Sequence, residues 1–503
     1  MKRRLLCLLL MTALLALPAR AAGSDIPNWY EVFVRSYQDS DGDGLGDIRG
    51  LIARLDYIHD MGWRGLWLMP VMPSPSYHKY DVTDYCAIDP EYGTLDDMRA
   101  LAAACHERDI ALIVDMPVNH TSIRHPWFVA ACDALRAGDE DCAYVSYYNF
   151  SRSPGDGCVP LEGTDWYYEE RFAGGGMPDL NLENPAVMAE IEAVFRFWLA
   201  DIGVDGFRLD AVTSFFTGQA ERNIECLRTL KATAESIRPG SVLIGECWAG
   251  LSTIAEYYES GVDSFFLFPA SQAEGFIAAS IVARKNQAVK FARGYQAALD
   301  AIPGKWLTPF LCNHDTGRAV GLVQGRSRPE LAKLAEGVLG MLGGGIFHYY
   351  GEEIGMAGSG ADPNKRLAMY WADGEMTRQP PGADKVEYAF PGVFEQQADE
   401  KSLLNYVKAV NRARLAIPAI SQGKNDFLLA EDSACVMRRS HPAGDCIIAV
   451  NFSGRDACAV EVAPWRIAVD LETGDGSAAL TVEGETASLS LPPCAVVVLT
   501  PQG

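Results

Sequence analysis

Gly206-Phe207-Arg208-Leu209-Asp210 is a short, mostly apolar run that ends in a carboxylate, and it predicts the fold class of this chain. The later runs Leu243–Glu246 and Phe310–Asp315 share the pattern. In a parallel α/β barrel, buried strands deliver ionisable side chains at their C-terminal ends, where the active site forms. Three such runs in order along one chain therefore predict a barrel whose mouth carries the three terminal carboxylates.

Eight strand candidates alternate with stretches of helical periodicity across most of the chain. The strand candidates are Trp29–Tyr37, Gly65–Met69, Ile110–Asp115, Val204–Asp210, Val242–Glu246, Val262–Phe268, Trp306–Cys312 and Gly345–Tyr350. Helical periodicity marks Leu95–Glu107, Ala186–Ile202 and Glu221–Ile237 between them. This alternation favours an α/β fold of the (β/α)8 TIM-barrel type over an open sheet.

The chain departs from the simple alternation in two places. Residues 121–182, after the third strand, are rich in Gly, Pro, Tyr and Trp and show no clear helix, which predicts an inserted loop-rich subdomain over the barrel mouth. Residues 419–503 change to short alternating runs, which are typical of an all-β sandwich domain. The predicted catalytic barrel comprises residues 22–120 and 183–418, and Leu403–Leu415 is its last amphipathic helix.

The first 21 residues have the pattern of a signal peptide. Lys2-Arg3-Arg4 is a charged segment, Leu5–Leu17 is an apolar segment, and Ala19-Arg20-Ala21 is a small-residue cleavage site. The apolar segment is too short to remain as a membrane anchor. We therefore expect an exported bacterial protein, periplasmic or extracellular, that has no membrane contact once residues 1–21 are removed.

The formal net charge of −23 at pH 7 restricts the partners of the chain. Nucleic acids and anionic membranes repel so acidic a protein, so neither is an expected partner. A neutral ligand such as a sugar is compatible with this charge.

Twelve of the thirteen cysteines follow the predicted signal peptide, and an even number in an exported protein makes disulfides plausible. The loop-rich stretch that holds Cys132, Cys142 and Cys158 is the favoured place for one. Cys247 and Cys312 lie within strand-like runs and are expected to be buried thiols. The sequence has neither a CxxC pair nor a Cys/His cluster, so a zinc site is not expected.

Residues 39–47 form an acidic, glycine-rich loop that predicts a calcium site. Its predicted ligands, counted against positions 1, 3, 5, 7 and 9 of an EF-hand loop, are Asp39, Asp41, Asp43, the Leu45 carbonyl and Asp47. Position 12 is Gly50 rather than Glu, so the loop has the wrapping geometry without the helical hand. Carboxylates this close repel one another without a cation. This favours Ca²⁺ over a solvated acidic turn.

The carboxylates at the strand ends have the chemistry of a glycoside-cleaving pair. Arg208 and Asp210 face the same side of a strand, and an Arg keeps a nucleophilic carboxylate ionised by lowering its pKa. A buried structural ion pair is the alternative. Glu246 lies between Gly245 and Trp248, a partly apolar setting that raises a carboxyl pKa toward that of a general acid. One ionised and one protonated carboxyl are the minimal equipment of a glycosidase.

Two further side chains are candidates for holding a sugar. His120 closes the segment Asp115–His120 after the third strand, and it either donates to a substrate hydroxyl or is satisfied by the backbone. Tyr80 is the aromatic residue we select for stacking on a sugar ring, because most other aromatic residues of a chain belong to its core. His314 and Asp315 close the set after the seventh strand.

The chain resembles the α-amylase family of glycoside hydrolases, family 13, across nearly its whole mature length. The matching segments are Asp115–His120, Met177–Asn181, Gly206–Val212, Ile244–Trp248 and Phe310–Asp315. Their order and spacing, with a subdomain after the third strand, make the match highly specific. The acidic loop and the segment Tyr77–Tyr85 also look like those of family members.

The resemblance implies cleavage with retention of anomeric configuration by double displacement. Asp210 would be the nucleophile, Glu246 would protonate the leaving oxygen and then activate water, and Asp315 would hold sugar hydroxyls in the distorted transition state. The further substrate contacts implied by the resemblance are Tyr80 under the cleaved sugar, His120, Arg208 and His314.

Departures from the family pattern bear on the substrate. Archetypal α-amylases carry Lys-His where this chain has Thr213-Ser214, and Met177–Asn181 lies between the forms typical of oligo-1,6-glucosidases and neopullulanases. Ala211 is more like α-1,4-acting members, and Lys79 replaces a common Gly. We therefore predict an α-glucan hydrolase acting on α-1,4 bonds of starch or maltooligosaccharides. An α-glucosidase or glucan transferase is the alternative, and a catalytically inactive sugar-binding homologue is a remote one.

Overall fold

The computed structural model of the chain describes residues 26–155, 157–172, 174–474 and 476–502. The predicted signal peptide, residues 1–21, lies outside the described residues. The strands, in chain order, are β1 Asn28–Val32, β2 Gly65–Leu68, β3 Ala111–Met116, β4 Phe150–Ser151, β5 Cys158–Pro160, β6 Tyr167–Glu169, β7 Gly206–Leu209, β8 Val242–Gly245, β9 Ser264–Phe265, β10 Ile346–Tyr349, β11 Lys424–Glu431, β12 Ala434–Ser440, β13 Cys446–Asn451, β14 Cys458–Val462, β15 Arg466–Leu471, β16 Ala479–Glu483, β17 Thr486–Leu491 and β18 Val496–Thr500.

The helices follow the same order, and several agree closely with the predicted periodicity. They are α1 Ile48–Ala53, α2 Leu55–Asp60, α3 Leu95–His106, α4 Pro126–Ala137, α5 Pro185–Arg196, α6 Ala220–Ile237, α7 Leu251–Tyr257, α8 Phe276–Ile281, α9 Gln287–Ala301, α10 Ala319–Leu322, α11 Pro329–Gly340, α12 Asp362–Lys365, α13 Val393–Ala398, α14 Leu403–Ala416 and α15 Ala419–Gln422. A π-helical turn over Phe197–Ile202 continues α5. Within the part of the chain that the structure describes, none of these helices combines the length and hydropathy that a membrane crossing requires.

The central sheet is parallel, with strand order β10-β1-β2-β3-β7-β8-β9. The segment predicted as the seventh strand closes it into a barrel through two bridges: Thr308 pairs with Phe266, and Phe310 pairs with Phe347. This segment is not a regular strand because Pro309 between the two bridges has no amide hydrogen to donate. The (β/α)8 barrel prediction is confirmed, with this one strand reduced to bridges.

Strand alternation divides the barrel wall into an inner and an outer face. The inner face carries an apolar layer that includes Trp29, Trp67 and Phe347. Charged residues continue this face toward the C-terminal ends of the strands, where Asp115 pairs in register with Arg208. The sequence therefore places its barrel-facing charges on top of an aromatic floor.

The segment inserted after β3 contains more regular structure than its composition predicts. The prediction that it has no clear helix is wrong, because α4 spans Pro126–Ala137. Pro126 at the first helical position and His125, whose side chain accepts from the Trp127 amide, start this helix. Its apolar side is buried by residues at helical spacing, which include Phe128 and Leu135. A small antiparallel sheet of order β4-β6-β5 completes the insertion.

The C-terminal region consists of two antiparallel sheets, as predicted. Their strand orders are β11-β12-β13-β18-β15 and β14-β17-β16. Inward-facing residues such as Val436, Val460 and Leu489 form one apolar core between them. Strands β11 and β16 have mostly exposed or partly exposed side chains, so the alternation in their sequences is weak. The predicted domain boundaries, 22–120 with 183–418, 121–182 and 419–503, remain predictions.

The cysteines of the described residues are all free thiols. The suggestion of a disulfide among Cys132, Cys142 and Cys158 therefore finds no support in this part of the chain. Cys132 points from α4 into the apolar core, with 4% of its surface exposed, whereas Cys142 and Cys158 are only partly buried. Cys247 and Cys312 are buried, as predicted, and pack as small apolar side chains.

Candidate active site

The three strand-end carboxylates meet in one cleft at the C-terminal end of the barrel. Asp210 directly follows β7, Glu246 directly follows β8, and Asp315 follows the bridged segment that closes the barrel. The cleft has a volume of about 390 Å³, and its walls are formed by His78, Tyr80, His120, Phe172, Met177, Asp210, Glu246, Trp248, Asp315, Asp362 and Arg366. The parallel strands thus bring together residues that are far apart in sequence, as the barrel prediction requires.

Arg208 is the electrostatic centre of this cleft. Its Nη1 lies 2.6 Å from Asp210 Oδ1 and 2.9 Å from Asp115 Oδ1, and its Nη2 lies 2.9 Å from Glu246 Oε1. The guanidinium is fully buried and also faces the Trp67 ring, 5.2 Å from the ring centroid. One cation therefore balances three carboxyl groups, and Arg208 and Asp210 share a side of β7, as their spacing predicts.

Glu246 has the environment of a proton donor. It is 7% exposed, and burial raises its pKa to about 7 even though Arg208 opposes the shift. The Ala211 amide donates to Glu246 Oε2 over 3.0 Å. Ala211 adopts the left-handed conformation, with φ 42° and ψ 44°, which is uncommon for a residue with a side chain. This backbone turn directs the amide of Ala211, the residue after Asp210, toward the Glu246 carboxyl.

Asp315 lies between two cationic side chains. Its Oδ1 accepts from Arg366 Nη2 at 2.8 Å, and its Oδ2 lies 3.1 Å from His314 Nε2. Burial acts to raise the pKa of Asp315, but His314 and Arg366 outweigh burial and hold this pKa below its usual range. Lys365 Nζ also donates to the Asp315 carbonyl at 2.7 Å. Asp315 is therefore a fixed carboxylate at the edge of the cleft.

Tyr80 is held by its hydroxyl group rather than by its ring alone. Tyr80 Oη lies 2.7 Å from His314 Nε2 and donates to Asp115 Oδ2 at 2.9 Å. The Tyr80 and His314 rings are nearly parallel, with centroids 5.4 Å apart. The aromatic residue selected from the sequence therefore belongs to the same network as the carboxylates.

His120 lines the cleft, but its donor nitrogen is not available to a ligand. His120 Nε2 lies 3.2 Å from the Tyr80 carbonyl, which can only accept, so Nε2 carries the hydrogen. Burial lowers the pKa of His120, so the ring is neutral and Nδ1 is an acceptor. Of the two alternatives stated for His120, the contact is with the backbone, and its Nδ1 is buried without a hydrogen-bond partner among the described residues.

The insertion fixes the loop that carries His120. Leu180 N donates to Asn119 O at 2.9 Å, and Thr121 N donates to Pro178 O at 3.1 Å. The segment Met177–Asn181, singled out in the sequence, is thus paired with Asp115–His120. This pairing closes one side of the cleft.

Several residues of the site were not assigned a role from the sequence. Asp115 was quoted only as part of a segment, yet it contacts both Arg208 and Tyr80. Arg366 has no motif around it, and the aromatic side chains Phe172 and Trp248 lie at the rim with 40% and 50% exposed. Trp248 stacks on Phe268, and Phe172 meets the edge of His120. Asp115 could have been selected from the sequence because it lies near the end of the apolar strand β3. The sequence around Arg366 gives no comparable signal.

The acidic loop is a separate feature of the molecule. Carboxylate oxygens of Asp39, Asp41 and Asp43 lie within 4.8 Å of one another. Asp47, also predicted as a ligand, is placed differently: it accepts from Ser40 N at 2.7 Å and caps α1 by accepting from Gly50 N at 2.8 Å. Asp39, Asp41 and Asp43 also accept from backbone amides of the loop, so Asp47 differs from them by its position at the start of the helix and not by these bonds. Three of the four predicted carboxylates therefore form the group.

A parallel barrel with paired carboxyls at its C-terminal mouth defines a barrel enzyme. The family profile described as Alpha amylase, catalytic domain, matches residues 31–423. Alpha-amylase 3 of Dictyoglomus thermophilum is 36% identical over 85% of this chain and 84% of its own length. Probable oligo-1,6-glucosidase 2 of Bacillus subtilis is 29% identical over 85% of this chain and 90% of its own length.

Solved structures give the same result. Amy13B of Eubacterium rectale superposes with a TM-score of 0.89 at 38% identity, covering 95% of this chain and 96% of its own. An α-amylase from H. orenii superposes with a TM-score of 0.84 at 32% identity, covering 95% of this chain and all of its own. The chain belongs to the α-amylase family and is a glycoside hydrolase.

Proposed function

We propose that the chain is a retaining α-glucan hydrolase that cleaves α-1,4-glucosidic bonds in starch or maltooligosaccharides. One observation supports this best: a single guanidinium, Arg208, pairs with both Asp210 and Glu246, and burial still raises the pKa of Glu246 to about 7. A pair of carboxyls in one cleft, one of them able to give a proton, is the requirement for double displacement.

In the first step, Asp210 attacks the anomeric carbon and forms a covalent glycosyl ester. The bond between the anomeric carbon and the leaving oxygen breaks, and Glu246 gives its proton to that oxygen. In the second step, the Glu246 carboxylate takes a proton from water, whose oxygen attacks the same carbon and releases Asp210. Arg208 stays beside both carboxyls, so it stabilises Asp210 before attack and Glu246 after proton donation.

The remaining residues bind and orient the sugar in this proposal. Asp315, held as a carboxylate by Arg366 and His314, accepts sugar hydroxyls. Tyr80 lies under the cleaved sugar, and His120 contacts the sugar from the wall of the cleft. These contacts favour the distorted sugar in the transition state.

Thr213-Ser214 stands in the loop after Asp210, where archetypal α-amylases carry Lys-His. This departure supports a substrate choice unlike that of amylases that act on long chains. Arg171, from the insertion, donates from Nε to Ser214 Oγ at 3.0 Å, so Thr213-Ser214 is tied to the insertion. An α-glucosidase or glucan transferase uses the same carboxylates and is the alternative. Relatives named oligo-1,6-glucosidase favour this alternative. The exposed Trp248 also favours it, because its ring could stack on an acceptor sugar as well as on the departing product.

Product analysis with maltoheptaose tests this proposal. We expect several shorter maltooligosaccharides at early times, and proton NMR should show α-anomers as the first products. Glucose alone would indicate the glucosidase, and products longer than the substrate would indicate transfer. First-formed β-anomers would exclude the retaining mechanism.

We also propose that Asp39, Asp41 and Asp43 hold a calcium ion, with the Leu45 carbonyl as a further ligand. Their oxygens are close enough to share one cation, and oxygen donors are the ligands that Ca²⁺ prefers. Arg378 donates to the Asp43 and Gly44 carbonyls, so the loop is tied to the segment that contains Arg378. The ion would neutralise the acidic loop and has no part in the chemical steps.

Export is the third proposal. It is supported by the charged, apolar and small-residue segments within residues 1–21. N-terminal sequencing of the protein recovered from the periplasm or the medium should begin after Ala21. A mature protein that retains residues 1–21 would contradict export by this route.

A further inference from the structure

Glu31 is a buried acid at the barrel centre that the proposed mechanism does not use. It lies on β1 with 1% of its surface exposed, and its register partners on the neighbouring strands are Trp67 and Tyr349. Glu31 Oε1 lies 2.5 Å from His314 Nδ1. These two residues are 283 positions apart, so only the closed barrel brings them together.

The hydrogen bonds around His314 fix the position of its protons. Tyr80 has one hydroxyl hydrogen, and Asp115, which is also paired with Arg208, takes it. Tyr80 Oη also lies 2.7 Å from His314 Nε2. Because the hydroxyl hydrogen is already given to Asp115, Nε2 must carry a hydrogen and donate it to Tyr80 Oη. The same Nε2–H also faces the Asp315 carboxylate at 3.1 Å.

A neutral His314 would then present the bare lone pair of Nδ1 to Glu31. A lone pair and a carboxylate oxygen 2.5 Å apart repel each other, so one further proton must lie between them. We infer that this proton stays on His314 and that Glu31 is the positioning residue that keeps His314 doubly protonated and aimed at Asp315 and Tyr80.

The surroundings of His314 agree with a cation. Burial acts to lower the pKa of His314, but Asp315 and Glu31 raise it to about 10. The charged and titratable groups that face His314 or its peptide group are Glu31 on β1, Tyr80 after β2, Asp115 on β3, Asp315 beside it, and Arg366, which donates to the His314 carbonyl. Arg208 pairs with Asp115, so Glu31 and Asp315 are the carboxylates that act most directly on the His314 ring.

The consequence for the reaction extends the proposed function and rests on it. A doubly protonated His314 donates to Asp315 and Tyr80 across the working pH range, so both remain oriented toward the sugar. Without Glu31, His314 loses a proton near neutral pH and its Nε2 can become an acceptor. Asp315 would then lose one of its two cationic partners.

The direct test is the protonation of His314, measured without substrate. Protein labelled with ¹⁵N-histidine is examined by long-range proton–nitrogen correlation spectra from pH 5 to 9, and His314→Asn assigns the signal. We expect wild-type His314 to remain doubly protonated to at least pH 8. In Glu31→Gln, His314 should lose one proton at a pH at least two units lower than in the wild type. In Glu31→Asp, His314 should remain doubly protonated over most of the range from pH 5 to 9.

The kinetic test uses the same variants on a maltooligosaccharide. We expect kcat/KM of Glu31→Gln to fall on the order of 10- to 100-fold, the range known for losing a carboxylate that orients a metal-bound histidine. Glu31→Asp should recover part of this loss. The matched control is Glu353→Gln, because Glu353 is equally buried but contacts Tyr30 and Tyr57 rather than the site. It should keep wild-type kcat/KM.

Three results would overturn the inference. They are a singly protonated His314 in the wild type at pH 7, an unchanged His314 titration in Glu31→Gln, and equal losses of kcat/KM in Glu31→Gln and Glu31→Asp. The wild-type spectrum decides the first even if the variants fail to fold. A wild type without hydrolase activity but with doubly protonated His314 would refute the proposed function and leave this inference standing.

Discussion

Two groups of buried carboxyls in this protein differ in what surrounds them. The mouth cluster comprises Asp115, Asp210, Glu246 and Asp315 around Arg208. The wall cluster comprises Glu336, Glu352 and Glu353 with His348, packed between the barrel wall and the outer helices. Apart from Asp315, whose side chain is 31% exposed, the members of both groups are almost fully buried, and the mouth cluster is built around a guanidinium.

The hydrogen-bond donors that reach the carboxyls of the wall cluster are neutral groups. Tyr30 and Tyr57 donate to Glu353 Oε1 at 2.6 and 2.8 Å, and the Tyr349 amide donates to Glu352 Oε2 at 3.0 Å. Glu336 Oε2 lies 3.1 Å from His348 Nε2. Burial lowers the pKa of His348, so this ring is neutral. Burial raises the pKa of all three acids. Burial thus favours the protonated acid in both clusters, and in the mouth cluster the Arg208 guanidinium opposes this effect.

The largest expected effect comes from removing the nucleophile of the mouth cluster. Asp210→Asn keeps the shape and the contact with Arg208 but cannot form the glycosyl ester, so kcat/KM on maltoheptaose should fall roughly 10⁴-fold or more. Glu353→Gln, the same kind of change in the wall cluster, should leave the rate unchanged. Undiminished hydrolysis in Asp210→Asn would refute the assignment of the mouth cluster.

The next effect concerns the protonation of Glu246. Because the general acid must be protonated and its pKa is raised to about 7, kcat/KM should decrease as the pH rises through about 7. Glu246→Gln should lower kcat/KM about 10²- to 10⁴-fold and remove this basic limb. With α-glucosyl fluoride, whose leaving group needs no proton, formation of the glycosyl ester should be largely spared. A basic limb that persists unchanged in Glu246→Gln would assign it to another group.

The acidic loop provides a third case, in which carboxylates are close together but exposed. If Ca²⁺ binds Asp39, Asp41 and Asp43, chelation should lower Tm, since a ligand at 100 times its Kd stabilises the folded state by about 2.7 kcal/mol. Asp41→Asn should reduce the calcium-dependent part of the shift, and Asp84→Asn, an exposed acid outside the loop, should not. An unchanged Tm under excess chelator would contradict the calcium site.

The smallest effect sharpens the description of the wall cluster. A raised pKa means that folded Glu353 binds its proton more tightly than the unfolded chain does. The resulting stabilisation is complete below about pH 4.3 and is lost as the pH rises toward the folded-state pKa, by at most about 1.4 kcal/mol per pH unit. Denaturant unfolding of Glu353→Gln should show a weaker decrease of stability over this range. Identical pH dependence in both proteins would mean that Glu353 does not titrate on unfolding.

Local patterns predicted most of the architecture. The alternation of apolar runs and helical periodicity gave the barrel, the insertion and the C-terminal sheets, because these patterns depend on neighbours within a few residues. Helix α4 was missed because the aromatic and Pro-rich composition of its surroundings masked a helical period. The seventh strand is irregular because of Pro309, which cannot donate a hydrogen bond to a neighbouring strand. How far this disrupts the pairing depends on the strands that lie beside it, which local sequence does not give.

The sequence by itself determined that Asp210, Glu246 and Asp315 gather at the mouth, because the end of each buried strand is a local feature. It did not determine their protonation or their partners. Glu31 beside His314, Arg366 beside Asp315, and the neutral surroundings of the wall cluster all depend on contacts between distant segments. Only the tertiary structure decided them, since the pKa of a buried acid is set by desolvation and by the charges that folding brings within a few ångströms.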